Sequence, residues 1–207
     1  MNDINTYRRQ PRLLLADMRE YSTLAGTGEI ARRYLAMNAF DGVLTIIGVL
    51  MGNYVGGVQD PRVVINIGLS TSLAMGISGL WGAYLTESAE RERELAELEQ
   101  ATLSSLRQTK ISRASHLAVI TVSLVDGFAP FAAAMIVLLP LFFAAVIGNV
   151  MITYLLSLMT ALLTLFGLGI FLGKISGRSL IGYGLRTLMA GFVSITLSYL
   201  LGGGHGG

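Results

Sequence analysis

Two aspartates stand where a charge is costly. Asp41 lies eight positions past Arg33, inside the first long apolar stretch, and Asp126 immediately precedes another uncharged run. An ionised Asp at the centre of a membrane helix costs about 2.5–3.5 kcal/mol on insertion scales. A cation, a bound proton or a wet cavity would offset that, so Asp41 can act as a metal ligand or a proton carrier. The plainer alternative is an Asp at the headgroup level, capping the backbone N–H groups of a helix start. Pro130 follows Asp126 by four residues and removes the helical donor for the Asp126 carbonyl. A free carbonyl beside a carboxylate makes an oxygen-rich cation site. Equally, Pro130 can mark a kink whose Asp is satisfied by a neighbouring Ser or Thr hydroxyl.

Glu87, Glu90, Glu94 and Glu97 recur at spacings of 3, 4 and 3 and so share one helical face. Such a row can collect hard divalent cations, or it can be a solvated face paired with Arg91 and Arg93. Leu95, Leu98, Leu103 and Leu106 form a neighbouring apolar stripe suited to a partner helix. Met75 is the one methionine singled out for an ion path, although Met in an apolar helix more often fills space. The chain has no cysteine, which removes thiolate ligands and disulfides. His116 and His205 each lack a second His at ligand spacing. No HExxH, GxSxG, Walker A or GxGxxG pattern falls on a suitable element, so an enzyme is not expected. A net charge of +2 gives no argument for nucleic acid.

The elements that must hold these residues are membrane helices. Of the 207 residues 53% are hydrophobic and 14% charged, against about 25% charged in soluble domains. Residues 42–59, 63–86 and 127–173 carry no Asp, Glu, Lys or Arg, and a bilayer core takes roughly 20 apolar residues per helix. The first span is read from Tyr34 to Val58 and the second from Val63 to Glu87, joined by a tight turn at Pro61. The third covers Ser115 to Leu139. Residues 127–173 would extend roughly 70 Å as one helix, so the chain turns back between Pro140 and Gly148-Asn149. A fourth span then ends near Gly173, and a fifth runs from Leu180 to Leu201. The expected class is an all-α membrane protein of five transmembrane helices. Its parts are an amphipathic N-terminal segment (1–33), the five-helix domain (34–201) and a Gly-rich tail (202–207). Within the domain, 88–113 is a short acidic helical insert continuing span two.

Charge sets the direction. Of the fifteen basic residues, Arg62 alone falls on one side of this arrangement, so the N-terminus and the acidic insert are expected in the cytoplasm and the C-terminus outside. The first thirty residues lack an apolar h-region and do not read as a cleavable signal. Gly48, Gly52 and Gly56, Ser72 and Gly76, and Gly169, Gly173 and Gly177 form small-residue stripes that suit close helix or subunit packing. Phe40-Asp41-Gly42 recurs as Val125-Asp126-Gly127, a weak sign that spans one and two repeat as three and four in parallel.

The run Asn38-Ala39-Phe40-Asp41-Gly42-Val43-Leu44-Thr45-Ile46-Ile47-Gly48 resembles the first-helix motif of the vacuolar iron transporter (VIT) family. Gly82-Ala83-Tyr84-Leu85-Thr86-Glu87-Ser88-Ala89-Glu90-Arg91-Glu92 is similar to that family's second helix, which passes into an acidic cytoplasmic helix. The stretch from Leu185-Arg186-Thr187-Leu188 to Tyr199-Leu200-Leu201-Gly202 is similar to its last helix. The resemblance covers about residues 34–202. It implies a homodimer in a lipid bilayer with the ion path between subunits, and proton-coupled export of iron(II) or related ions from the cytoplasm. Asp41 falls on the family's transport carboxylate, and the four glutamates fall where its metal-collecting helices begin. The family's Met and Glu in a Ser-Met-x-x-Gly-Glu-Tyr run are absent from Ser78-Gly79-Leu80-Trp81-Gly82-Ala83-Tyr84. Met75, one turn earlier, is the available substitute. With its short insert the chain looks like a divergent prokaryotic branch, which places it in a prokaryotic cell membrane.

These readings combine into a carrier in which Asp41, with Asp126, binds either a metal ion or protons. Burial favours a carboxyl's neutral form and a cation favours its ionised form, so occupancy and protonation oppose each other. Carboxylate-rich, cysteine-free sites suit iron(II) and manganese(II) better than copper(I). The metal is cargo, and no resident cofactor is expected. The rival readings are a non-transporting scaffold whose acidic helix binds a partner, and a transporter of another solute on the same fold.

Overall fold

The computed structural model describes residues 27–106 and 109–203. Most of the N-terminal segment, the end of the tail and His205 lie outside the described residues. The chain forms α1 (Thr27–Val55), α2 (Pro61–Thr102), α3 (Lys110–Phe142), α4 (Ala144–Ile147), α5 (Val150–Ile175) and α6 (Leu180–Gly203). Five helical stretches are long and apolar enough to cross a bilayer, with α4 a short extension of α3. There is no strand among the described residues. The all-helical, five-span class read from composition is the class observed.

Local chemistry sets the turns. Asp60 caps α2 by accepting the Arg62 N–H at 2.9 Å, with Pro61 at the first helical position, where its missing donor costs nothing. Between α3 and α5 the chain reverses inside the expected bracket: Pro140 still lies within α3, and the break comes at Phe143 and at Gly148, whose φ of +70° suits glycine. Asn149 then caps α5 through the Ile152 N–H at 3.1 Å. The insert also differs from expectation. Helix α2 stops at Thr102, so residues up to Arg113 do not continue it. Leu103 adopts a left-handed conformation, and the Glu99 carboxylate accepts the Leu106 N–H at 2.7 Å, turning the chain back into α3. Leu103 is thereby 93% exposed and does not share a packed stripe with Leu95.

Helix α3 is central: it packs on α2, α1 and α5, while α6 packs on α5 and α1. The α1 residues Ala39, Val43, Ile46, Ile47 and Leu50 recur at helical spacing and bury against Ala133, Ala134, Val137 and Leu138 of α3 in one core. Lipid tails are as apolar as leucine, so burial alone does little to hold such helices together; close approach does. Gly42 supplies one such approach, since a Cβ there would stand 2.5 Å from the Pro130 carbonyl oxygen. Gly127 supplies another, with a Cβ 2.7 Å from the Gly76 carbonyl oxygen. The stripe Gly169–Gly173 faces Thr187, Gly184 and Leu180 of α6. By contrast Gly48 and Gly52 meet nothing within 4 Å.

Candidate metal-ion pathway

The glycine crossings draw α1 and α2 against α3 at one level, and Asn38, Asp41 and Asp126 lie at that level. Asp41 is the middle residue of α1, about 21 Å from either end. It is therefore not a helix-start cap. Asp126 is likewise midway along α3. Tyr34, Asn38 and Asp41 follow at spacings of 4 and 3, so they line one face of α1.

Asp41 opens onto a cavity of about 430 Å³ whose other walls are Asn38, Ala74, Met75, Ser78, Gly79 and Pro130. Asp41, Ala74 and Ser78 are exposed on the single chain, so the cavity is a groove along the outside of the α1–α2 seam. Asp41 and Met75, singled out separately in the sequence, thus share one chamber. It offers a carboxylate, an amide, a hydroxyl and a thioether.

Asp126 is not in that chamber. It is 8% exposed and sits behind Asn38, whose Nδ2 donates to Asp126 Oδ1 and, at 3.0 Å, to the Tyr34 carbonyl. Its stabilising partner is an amide from another helix rather than a nearby hydroxyl; Ser123 instead donates to the Val119 carbonyl at 2.7 Å. The Asp126 backbone carbonyl, freed by Pro130, faces Gly79, where a Cβ would lie 2.9 Å away. Weak Cα–H···O contacts are common at such helix crossings. Asp126 lies within electrostatic reach of both Asp41 and Glu87.

Glu87 does not line the groove but meets the same face of α1 through Tyr34. The Tyr34 hydroxyl donates to Glu87 Oε1 at 3.2 Å, and Arg91 Nε lies 3.9 Å from Oε2. Farther along α2, Glu94 pairs with Arg91 at 3.2 Å, and Glu90 and Glu97 pair with Arg93 at 3.5 and 3.3 Å. The four glutamates share a face, each beside an arginine. Among the described residues no three His, Cys, Asp or Glu come together as a metal cluster. His116 lies apart, in a groove between α2 and α3 with Ser88 and Ser112.

Asn38, Ser78 and Tyr34 were missed as site residues in the sequence. For Asn38 and Tyr34 the signal was present: each is a polar group on the Asp41 face of an apolar helix. Ser78 carried no comparable mark, because a serine hydroxyl is readily satisfied by its own helix.

Comparison with known proteins follows the same residues. Residues 33–122 match the model of the VIT family. That segment holds Asn38, Asp41, Met75, Ser78 and the glutamate row, and it ends four residues before Asp126. An uncharacterized protein of Methanocaldococcus jannaschii, MJ0645, is 28% identical over 173 residues, covering 82% of this chain and 87% of the relative. No solved structure matches. The likeness to the VIT family thus covers the first two spans and the start of the third.

Proposed function

We propose that this chain carries divalent metal ions, iron(II) or manganese(II), out of the cytoplasm of a prokaryotic cell in exchange for protons. The observation that carries the reading is Asp41: a carboxylate inside a long apolar helix, seven residues past the Tyr34 start of its span, opening onto a cavity with amide, hydroxyl and thioether donors. Oxygen donors suit manganese(II) and iron(II), and one thioether adds affinity for the softer iron. The VIT-family match over residues 33–122 supports metal-ion transport as the class.

The reading includes a homodimer. An exposed Asp41 facing lipid would bear the full insertion cost, and one chain supplies only one carboxylate to the cavity. A two-fold axis along the membrane normal would face two such grooves toward each other, cover both and double the carboxylates. Protons arriving from outside would neutralise Asp41 and release the ion, while an ion arriving from the cytoplasm would displace the proton.

The test is flux in proteoliposomes, following manganese(II) uptake and internal pH together. Wild-type protein should move metal one way and protons the other. Asp41→Asn should lose both fluxes while keeping its melting temperature. Equal transport by Asp41→Asn would end the carboxylate-exchange scheme. An absence of any flux in the wild type would favour the scaffold reading.

A further inference from the structure

We propose that the side-chain oxygen of Asn38 is a direct ligand for the cation in the Asp41 cavity, and that Asp126 is the positioning residue that turns it there. The inference rests on the carrier reading above and adds a donor and its support.

An asparagine amide has two N–H donors and one carbonyl acceptor. Both donors of Asn38 are used, one on the Tyr34 carbonyl and one on Asp126 Oδ1. No donor among the described residues reaches Asn38 Oδ1. Nor is that oxygen sealed in the core: Ser157 Oγ alone is a fully buried, unpartnered side-chain atom among the described residues. Asn38 lines the chamber beside Asp41, so its carbonyl is the group it has left to offer there.

The orientation is decided by its neighbours. The oxygen and nitrogen of an amide can exchange places by a half-turn, but that turn would set Oδ1 against two other acceptors, the Tyr34 carbonyl and Asp126. Asp126 is itself held by the Gly79 and Gly127 crossings to α2. A buried carboxylate that does not line the cavity thus fixes the direction of an amide that does. The chemistry fits a carrier: an amide oxygen is a hard donor for manganese(II) or iron(II), yet it adds no negative charge that would oppose release.

The experiment is an electron paramagnetic resonance titration of the purified full-length protein with manganese(II), alongside metal-free thermal melting. Asn38→Ala should weaken binding by at least about tenfold, the lower end of what loss of a supporting group costs a metal site, and Asp126→Ala, which removes the acceptor for Asn38 Nδ2, by about 10–100-fold. The double variant should bind no more weakly than the poorer single one, because both act through one oxygen. Wild-type binding by Asn38→Ala, or losses that multiply in the double variant, would overturn the proposal. Asp41→Asn separates the two layers. If it loses binding while Asn38→Ala keeps it, only the Asn38 assignment fails; if Asp41→Asn binds normally, the carrier reading fails beneath it. Should Asn38→Ala not fold, infrared difference spectra of wild-type protein carrying carbonyl-labelled asparagine decide the matter. A metal-dependent shift of an asparagine carbonyl band is expected, and its absence overturns the assignment.

Discussion

Gly79 on α2 and Asp126 on α3 touch so closely that a Cβ on the glycine would stand 2.9 Å from the aspartate's carbonyl oxygen and 3.0 Å from Oδ2. One of those neighbours is backbone and cannot swing aside. Gly79→Ala should therefore push α2 from α3, at a cost of about 1–3 kcal/mol, and disturb the Asp126–Asn38 hydrogen bond. Lower thermal stability and weaker manganese(II) binding are expected together. Gly82→Ala is the control: nothing lies within 4 Å of its added methyl, and alanine in a helix interior is favoured by up to about 1 kcal/mol. Gly82→Ala should melt at or above wild type. Equal behaviour of the two variants would count against the crossing.

The glutamates beyond the bundle should behave differently from Asp41. Arg93 and its partners Glu90 and Glu97 are more than half exposed, and exposed pairs contribute about 0–1 kcal/mol. Glu90→Gln and Glu97→Gln should barely change the melting temperature. If the row gathers cations, replacing Glu90, Glu94 and Glu97 together should raise the metal concentration for half-maximal flux severalfold and leave the maximal rate intact. A fall in maximal rate with no change in half-saturation would show that the row does not act as a collector.

The direction of insertion can be read by labelling, because the natural chain has no cysteine to give background. Gln59→Cys, in the turn between α1 and α2, should react with an impermeant maleimide added to intact cells. Gln100→Cys, at the far end of α2, should react only after the membrane is opened. The reverse pattern would invert the assignment made from the basic residues.

The spans were legible because hydrocarbon imposes length and apolarity on each helix separately. Their ends were less so. Pro140 and Gly148-Asn149 bracketed the reversal after α3 correctly, but its place within that bracket, at Phe143 and the left-handed Gly148, was not marked by the proline. Likewise Leu103 ended α2 without any Gly or Pro to announce it, under the pull of Glu99 on the returning chain. Asp41 and Met75 could be named individually, but not their meeting, which depends on how α1 and α2 cross. Asp126 could be flagged as costly, yet its partner lies 88 positions away in Asn38. Local sequence shows a need for such a partner and not its address.

Helix α2 is one unbroken rod of 42 residues. It does not lean on α3 at one place: Gly68 meets Leu138, Gly76 meets Gly127 and Gly79 meets Asp126. Those three places lie along about 17 Å of helix rise, so α2 is clamped and not pivoted there. Met75 and Ser78 stand inside the clamped stretch, and the wall they give the groove is held by the same crossings that seat Asp126.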